Sequence, residues 1–99
     1  MRTLAWKILS EFGVKYADAR APLREWFLFV ERASWGSFSD LRETYRSADA
    51  VGNKVIFNIK GNTYRLIAIV NYHSKHVLIR WVGTHAEYDR LTEREIKDL

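Results

Sequence analysis

The chain has 99 residues, 47% of them apolar and 14% aromatic with four Trp, which is enough for one buried core without staples and too apolar for a disordered chain. It has no cysteine. That excludes disulfides, thiolate nucleophiles and Cys-based zinc or iron–sulfur sites, and suits a cytoplasmic protein. The formal net charge is +4, from 16 Lys plus Arg against 12 Asp plus Glu.

The start, MRTLAWKILSEFG, sets charges inside its apolar pattern and reads as neither a signal peptide nor a membrane span. Leu4, Ile8, Leu9, Phe12 and Tyr16 recur at helical spacing and predict an amphipathic helix over about residues 4–18, with Thr3 as its N-cap. Ala21-Pro22 interrupts that pattern, and Pro22 suits the first turn of a second helix with the stripe Leu23, Trp26, Phe27, Val30, Ala33. Trp35-Gly36-Ser37 reads as the exit turn. Ser37 or Ser39 would then cap a short third helix, Asp40 to Arg46, and Ser47 to Asn53 reads as a loop. No repeat, linker or low-complexity tract divides the chain, so a single domain over 1–99 is expected.

From Lys54 the apolar period changes to two, predicting strands at about 54–60, 63–72 and 76–82. Gly61-Asn62 reads as a two-residue hairpin turn with Gly at its first central position, as a type II′ turn requires. That turn sets Ile59 against Tyr64, Asn58 against Arg65 and Phe57 against Leu66. An even-length loop within His73–His76 sets Val70 against Ile79 and Ile69 against Arg80. One face then holds Val55, Phe57, Ile59, Tyr64, Leu66, Ala68, Val70, Tyr72, Val77, Ile79 and Trp81, a core face for the helices. The other holds Asn58, Lys60, Arg65, Asn71 and Arg80 among Ile56, Ile67, Ile69, Leu78 and Val82. So many aliphatics suggest a groove with a cationic rim, or a seat for part of a partner chain.

Gly83-Thr84-His85-Ala86-Glu87-Tyr88-Asp89 closes this block with capping-box spacing, Thr84 to Glu87. It puts His85 in the first helical position and Tyr88 on the same side three residues on. Leu91–Leu99 reads as a polar tail of weak helical character. The expected class is α+β: N-terminal helices packed on one face of a small antiparallel β-sheet, with a short C-terminal helix.

The charge is uneven. Residues 54–90 carry six bases against Glu87 and Asp89, together with all three histidines. A basic block of this size hints at nucleic acid, although many inert domains share such a balance.

The stretches NIKGNTYR (Asn58–Arg65) and RWVGTHAEYD (Arg80–Asp89), in this order and spacing, resemble the HigB-type mRNA interferase toxins of bacterial type II toxin–antitoxin modules, within the RelE-like superfamily. The helical start and FSDLRETYRSAD also fit, so the resemblance covers nearly the whole chain. It implies helices packed on an antiparallel sheet and endonucleolytic cleavage of mRNA on translating ribosomes. It also implies neutralisation by a HigA-type helix-turn-helix antitoxin, with operator DNA met only through the antitoxin complex. The positions that match the motifs are Asn58, Lys60, Asn62, Arg65, Arg80, Thr84, His85, Tyr88 and Asp89.

RNA cleavage of this kind needs a base for the ribose 2′-OH, an acid for the leaving oxygen and cations for the phosphorane. Arg65 and Arg80 are the candidates to hold phosphate, with Lys60 as a point charge beside them. His85 is the candidate acid or base. Tyr88 is a candidate to stack a base, bond phosphate or, with a pKa lowered by a nearby Arg, transfer a proton. Asn58, Lys54, Lys75, His73 and His76 are candidate RNA contacts. No metal site is expected, because no carboxylate accompanies His73 and His76 nearby, and no cofactor is needed. Each residue has a plainer alternative: solvated edge charges for the arginines, a surface histidine bonded to Asp89 for His85, packing for Tyr88, a turn role for Asn62. Trp6, Trp26, Trp35 and Trp81 read as core. Two other functions fit the same residues. One is a toxin of this fold that poisons another target, such as DNA gyrase, as the related ParE group does. The other is a non-catalytic RNA- or protein-binding module.

Overall fold

In a computed structural model describing residues 1–99, the elements run β1 (Arg2–Leu4), α1 (Trp6–Lys15), a 3-10 turn (Ala17–Ala19), α2 (Arg20–Arg32), α3 (Phe38–Thr44), β2 (Asp49–Val51), β3 (Lys54–Ile59), β4 (Tyr64–Asn71), β5 (His76–Thr84), α4 (His85–Asp89) and α5 (Glu93–Lys97). The class is α+β, with helices packed on a five-stranded sheet in the order β1-β5-β4-β3-β2. The sheet is mixed rather than purely antiparallel, because β1 runs parallel to β5 and the other pairs are antiparallel.

Two strands lay outside the sequence expectation, and both protect sheet edges. Arg2–Leu4 pairs with His76–Leu78, and the Arg2 amide donates to the Lys75 carbonyl at 2.7 Å. Thr3 is therefore no helix cap. Its amide and hydroxyl donate to the Glu31 carboxylate at 2.9 and 3.0 Å, and α1 starts after Ala5, which is left-handed at φ 68. Asp49–Val51 pairs with Lys54–Ile56 on the other edge, through a turn with Gly52 at φ 62. The third helix starts two residues before Asp40 and ends at Thr44 rather than Arg46: Ser37 caps it, accepting from the Asp40 amide at 3.1 Å.

The first hairpin has the expected register, Asn58 against Arg65, with Gly61 at φ 62 and the Thr63 amide donating to the Lys60 carbonyl at 3.1 Å. The second differs twice. The Asn71 side chain accepts from the His73 and Ser74 amides at 3.1 and 3.0 Å, which ends β4 at Asn71. Val70 therefore faces Val77, not Ile79, a slip of two that leaves the faces unchanged. Then a bulge intervenes, because Ala68 faces Ile79 and Ile67 faces Trp81, leaving Arg80 unpaired between them. One extra residue reverses the alternation beyond it. Val82 consequently packs with the helix-side core and Trp81 with the opposite face, the reverse of the expected assignment.

The helix-side core gathers Leu9, Leu23, Trp26, Val30, Trp35 and Leu41 onto Phe57, Ile59, Leu66 and Ile79. The other face is not an open groove. Ile56 and Ile67 are buried against Ile96 of α5, with Val51, Trp81, Tyr88, Leu91 and Leu99 around them. The tail read as polar with weak helical character is a helix that folds back over the sheet, started by a Thr92–Glu95 capping box. Lys54, a residue 2% exposed, pins it: its ammonium donates to the Lys97 carbonyl at 2.7 Å and to Asn53 Oδ1 at 2.9 Å. No helix is long and apolar enough to cross a membrane.

Candidate active site

The β3–β4 turn and the start of α4 meet at one end of the sheet. Tyr64 pairs with Thr84 and Arg65 with Gly83, and the His85 amide donates to the Thr63 carbonyl at 3.0 Å. Thr84 caps α4 by accepting from the Glu87 amide at 3.1 Å, and Glu87 accepts in return from the Thr84 amide at 2.8 Å. This hydrogen bond from the Thr84 amide holds the Glu87 carboxyl below its usual range. The double tie fixes where α4 aims its side chains.

Arg65 is 9% exposed. Its guanidinium donates to Asn62 Oδ1 at 2.6 Å and to the Asn62 carbonyl at 3.1 Å, and it lies 5.7 Å from the centroid of the Tyr88 ring. None of the chain's ion pairs involves Arg65 or Arg80, so both charges stay available to an anion. Arg65 is also pre-oriented, which lowers the entropy lost when it binds. Burial, before the nearby Asp49, pushes the Tyr88 phenol above its usual pKa despite the opposing charge of Arg65. Tyr88 is therefore a neutral donor and ring at physiological pH, not a base with a lowered pKa as one sequence alternative had it.

His85 Nδ1 lies 2.8 Å from Asp89 Oδ2. An ionised carboxylate only accepts, so Nδ1 carries the proton, which leaves Nε2 free to take one. The bond offered as the plain alternative for His85 is thus present, and it is also the bond that orients a histidine for proton transfer.

On the helix side of the same turn, Lys60 Nζ is 2.8 Å from Asp18 Oδ2, and the Tyr64 hydroxyl donates to the other carboxylate oxygen. The Lys60 and Tyr64 hydrogen bonds hold Asp18 below the usual carboxylate range, and the bond to Asp18 pushes Tyr64 up to about 12. Lys60 and Asp18 are each about half exposed, and a pair of that kind is weak and readily exchanged.

The other expected residues spread out. Arg80, exposed on its bulge, lies three residues before the partner of Arg65, about 10 Å along the strand. Asn58 is half-buried beside Arg65, and its carbonyl accepts from the Tyr45 hydroxyl at 2.6 Å. Lys54 and Lys75 hold the structure together: Lys54 clamps α5, which does not fit its expected reach to RNA, and Lys75 Nζ donates to the Trp35 carbonyl at 2.8 Å. His73 and His76 lie at the far hairpin, a β4 length of about 25 Å away, with His76 Nδ1 2.9 Å from Ser74 Oγ. The sequence reading placed no site role on Asp18, Tyr64, Trp81 or Gly83. Asp18 meets Lys60 across 42 residues, with no local signal. For Trp81 the glycine two positions on was a usable clue.

Helices packed on a small sheet, with a guanidinium free of ion pairs and an oriented histidine at the sheet's end, make a small α+β protein compatible with the RelE-like toxin fold. The chain belongs to the HigB toxin family, described as the RelE-like toxic component of a toxin–antitoxin system, whose model matches residues 19–91. It is similar to the mRNA interferase HigB of Escherichia coli O6:H1, 27% identical over 94 residues, covering 90% of this chain and 91% of that protein. It is equally 27% identical, over 95 residues, to the mRNA interferase toxin HigB of Escherichia coli K12 and the mRNA interferase HigB of Shigella flexneri, covering 93% of this chain and 91% of each.

Proposed function

We propose that this chain is an mRNA endonuclease that works in the cytoplasm on ribosome-bound message. The observation that carries the reading is the convergence of the oriented His85–Asp89 couple and the Arg65–Tyr88 stack on one sheet end, in a chain of the HigB toxin family. The ribose 2′ oxygen forms a bond to phosphorus, the bond from phosphorus to the 5′ oxygen breaks, and the products are a 2′,3′-cyclic phosphate and a 5′-hydroxyl. The 2′ proton passes to His85 Nε2. The 5′ oxygen takes the proton of the neutral Tyr88 phenol, and Tyr88 regains one from water as His85 Nε2 gives up its own. Arg65 holds the phosphorane oxygens, where a fixed guanidinium is worth most because nothing must reorganise. Lys60, released from Asp18, and Arg80 contact flanking phosphates, and Asn58 lies beside Arg65. The restraining partner is a HigA-type helix-turn-helix protein, through whose complex the toxin meets operator DNA.

The test is expression of wild type, Arg80→Ala and His85→Ala, with growth and primer extension on cellular mRNA followed together. Wild type should arrest growth and cut message, and the variants should do neither while still binding the antitoxin. Growth arrest without cuts in mRNA would overturn the proposal.

A further inference from the structure

Trp81 has no place in the chemistry above, yet the fold takes unusual steps to put it where it is. The bulge at Arg80 turns its side chain from the helix-side core to the tail side. There it meets Gly83, a buried residue directly opposite Arg65. A Cβ on Gly83 would stand 2.4 Å from Trp81 Cη2 and 2.6 Å from Cζ2. Real carbon contacts do not close to that distance, so the indole occupies the space that any other residue at position 83 would fill. From that seat its ring centroid is 6.3 Å from that of Tyr88, which is itself 5.7 Å from the Arg65 guanidinium. Tyr88 thus has the arginine and the indole against its ring, at the edge of the Ile56–Ile67–Ile96 cluster. The short helix that carries it is five residues long and buries none of them, so the place of the ring depends on what the sheet and tail set against it.

We infer that Trp81 is a positioning residue, seated by the Arg80 bulge and the bare Cα of Gly83, that holds the Tyr88 ring against Arg65. The inference rests on the proposed RNA site, because it assigns the ring a task only if Tyr88 and Arg65 serve the reaction. It makes the glycine and the tryptophan one device. Gly83→Ala harms the site only by displacing the indole, so it should do no harm once the indole is gone.

The experiment measures cleavage of a defined mRNA on programmed ribosomes, at saturating and at half-saturating enzyme. Trp81→Leu should slow saturating cleavage on the order of ten- to a hundredfold, the cost of a small misplacement of a reacting group, with little change in the half-saturating concentration. Trp81→Phe, which keeps a ring, should restore most of the rate. Gly83→Ala should be slowed as Trp81→Leu is, and the double variant should be no slower than Trp81→Leu alone. Thermal melts accompany each variant, and Trp81→Met replaces Trp81→Leu if the latter does not fold. Full-rate cleavage by Trp81→Leu, or losses from the two positions that multiply, would overturn the inference. His85→Ala and Tyr88→Ala serve as controls that separate the two ideas. If they too cleave like wild type, the site reading itself fails; if they are inactive while Trp81→Leu is at full rate, only the positioning role fails.

Discussion

Replacing Ile96 with alanine probes the closure of the sheet's second face by the chain's own tail. Ile96 is 5% exposed and is the one α5 residue buried against Ile56 and Ile67. Truncating a buried isoleucine to alanine costs about 2–5 kcal/mol, depending on how far the site collapses. Here the surrounding Leu91, Leu99 and Tyr88 are only partly buried and can relax inward, which places the loss near the lower end, about 2–3 kcal/mol. For a chain of this size that lowers the melting temperature by about 10–20 °C. Paired thermal and urea unfolding of wild type and Ile96→Ala would measure it. A loss below about 0.5 kcal/mol, the size of an ordinary surface substitution, would refute the covered face and restore an open groove there.

Two further outcomes follow from the site geometry. Asp89→Asn replaces a pure acceptor by an amide that can also donate to Nδ1; the histidine loses its fixed tautomer, and cleavage should fall by about a hundredfold or more with message binding little changed. Wild-type binding and wild-type rate together would contradict that role. The Tyr64–Asp18 bond should show as an alkaline dependence of stability. Tyr64 has its folded pKa raised from 10.0 to about 12, so its contribution is complete below the unfolded value and is lost as pH rises through the folded one. The stability advantage of wild type over Tyr64→Phe should therefore shrink between pH 10 and about 12, as read by denaturant midpoints; a constant gap across that range would exclude the linkage.

The parts of the fold legible in the sequence were those set by local rules. Alternation fixed β3 and β4, Gly61 fixed the register that pairs Asn58 with Arg65, and the Thr84–Glu87 spacing gave the cap that aims His85 and Tyr88. The parts that were not legible depend on contacts distant along the chain. Three residues, Arg2–Leu4, cannot display a period, and they become a strand only because β5 has a free edge. The bulge at Arg80 exchanges Trp81 and Val82 between faces, and its one mark in the sequence, Gly83, does not say where the extra residue falls. A single isoleucine in EREIK gives no stripe, although it closes the second face. Lys54 looks like a free cation until the α5 carbonyl it clamps, 43 residues away, is in place. At the candidate site, the nearness of Arg65 to the start of α4 was legible from the hairpin register and the cap, and the state of the side chains was not. That Arg65 is held by Asn62, Lys60 by Asp18 and the Tyr88 phenol by burial in its neutral form are consequences of packing.

The chemistry of the cut ends tests the central claim most directly. Message fragments from cells expressing wild type and His85→Ala can be mapped and their 3′ termini identified. Wild type should leave 2′,3′-cyclic phosphate or 3′-phosphate at discrete positions, and His85→Ala should leave no such cuts. Fragments ending in 3′-hydroxyl, or undiminished cutting by His85→Ala, would contradict an RNA site built on His85 and Arg65.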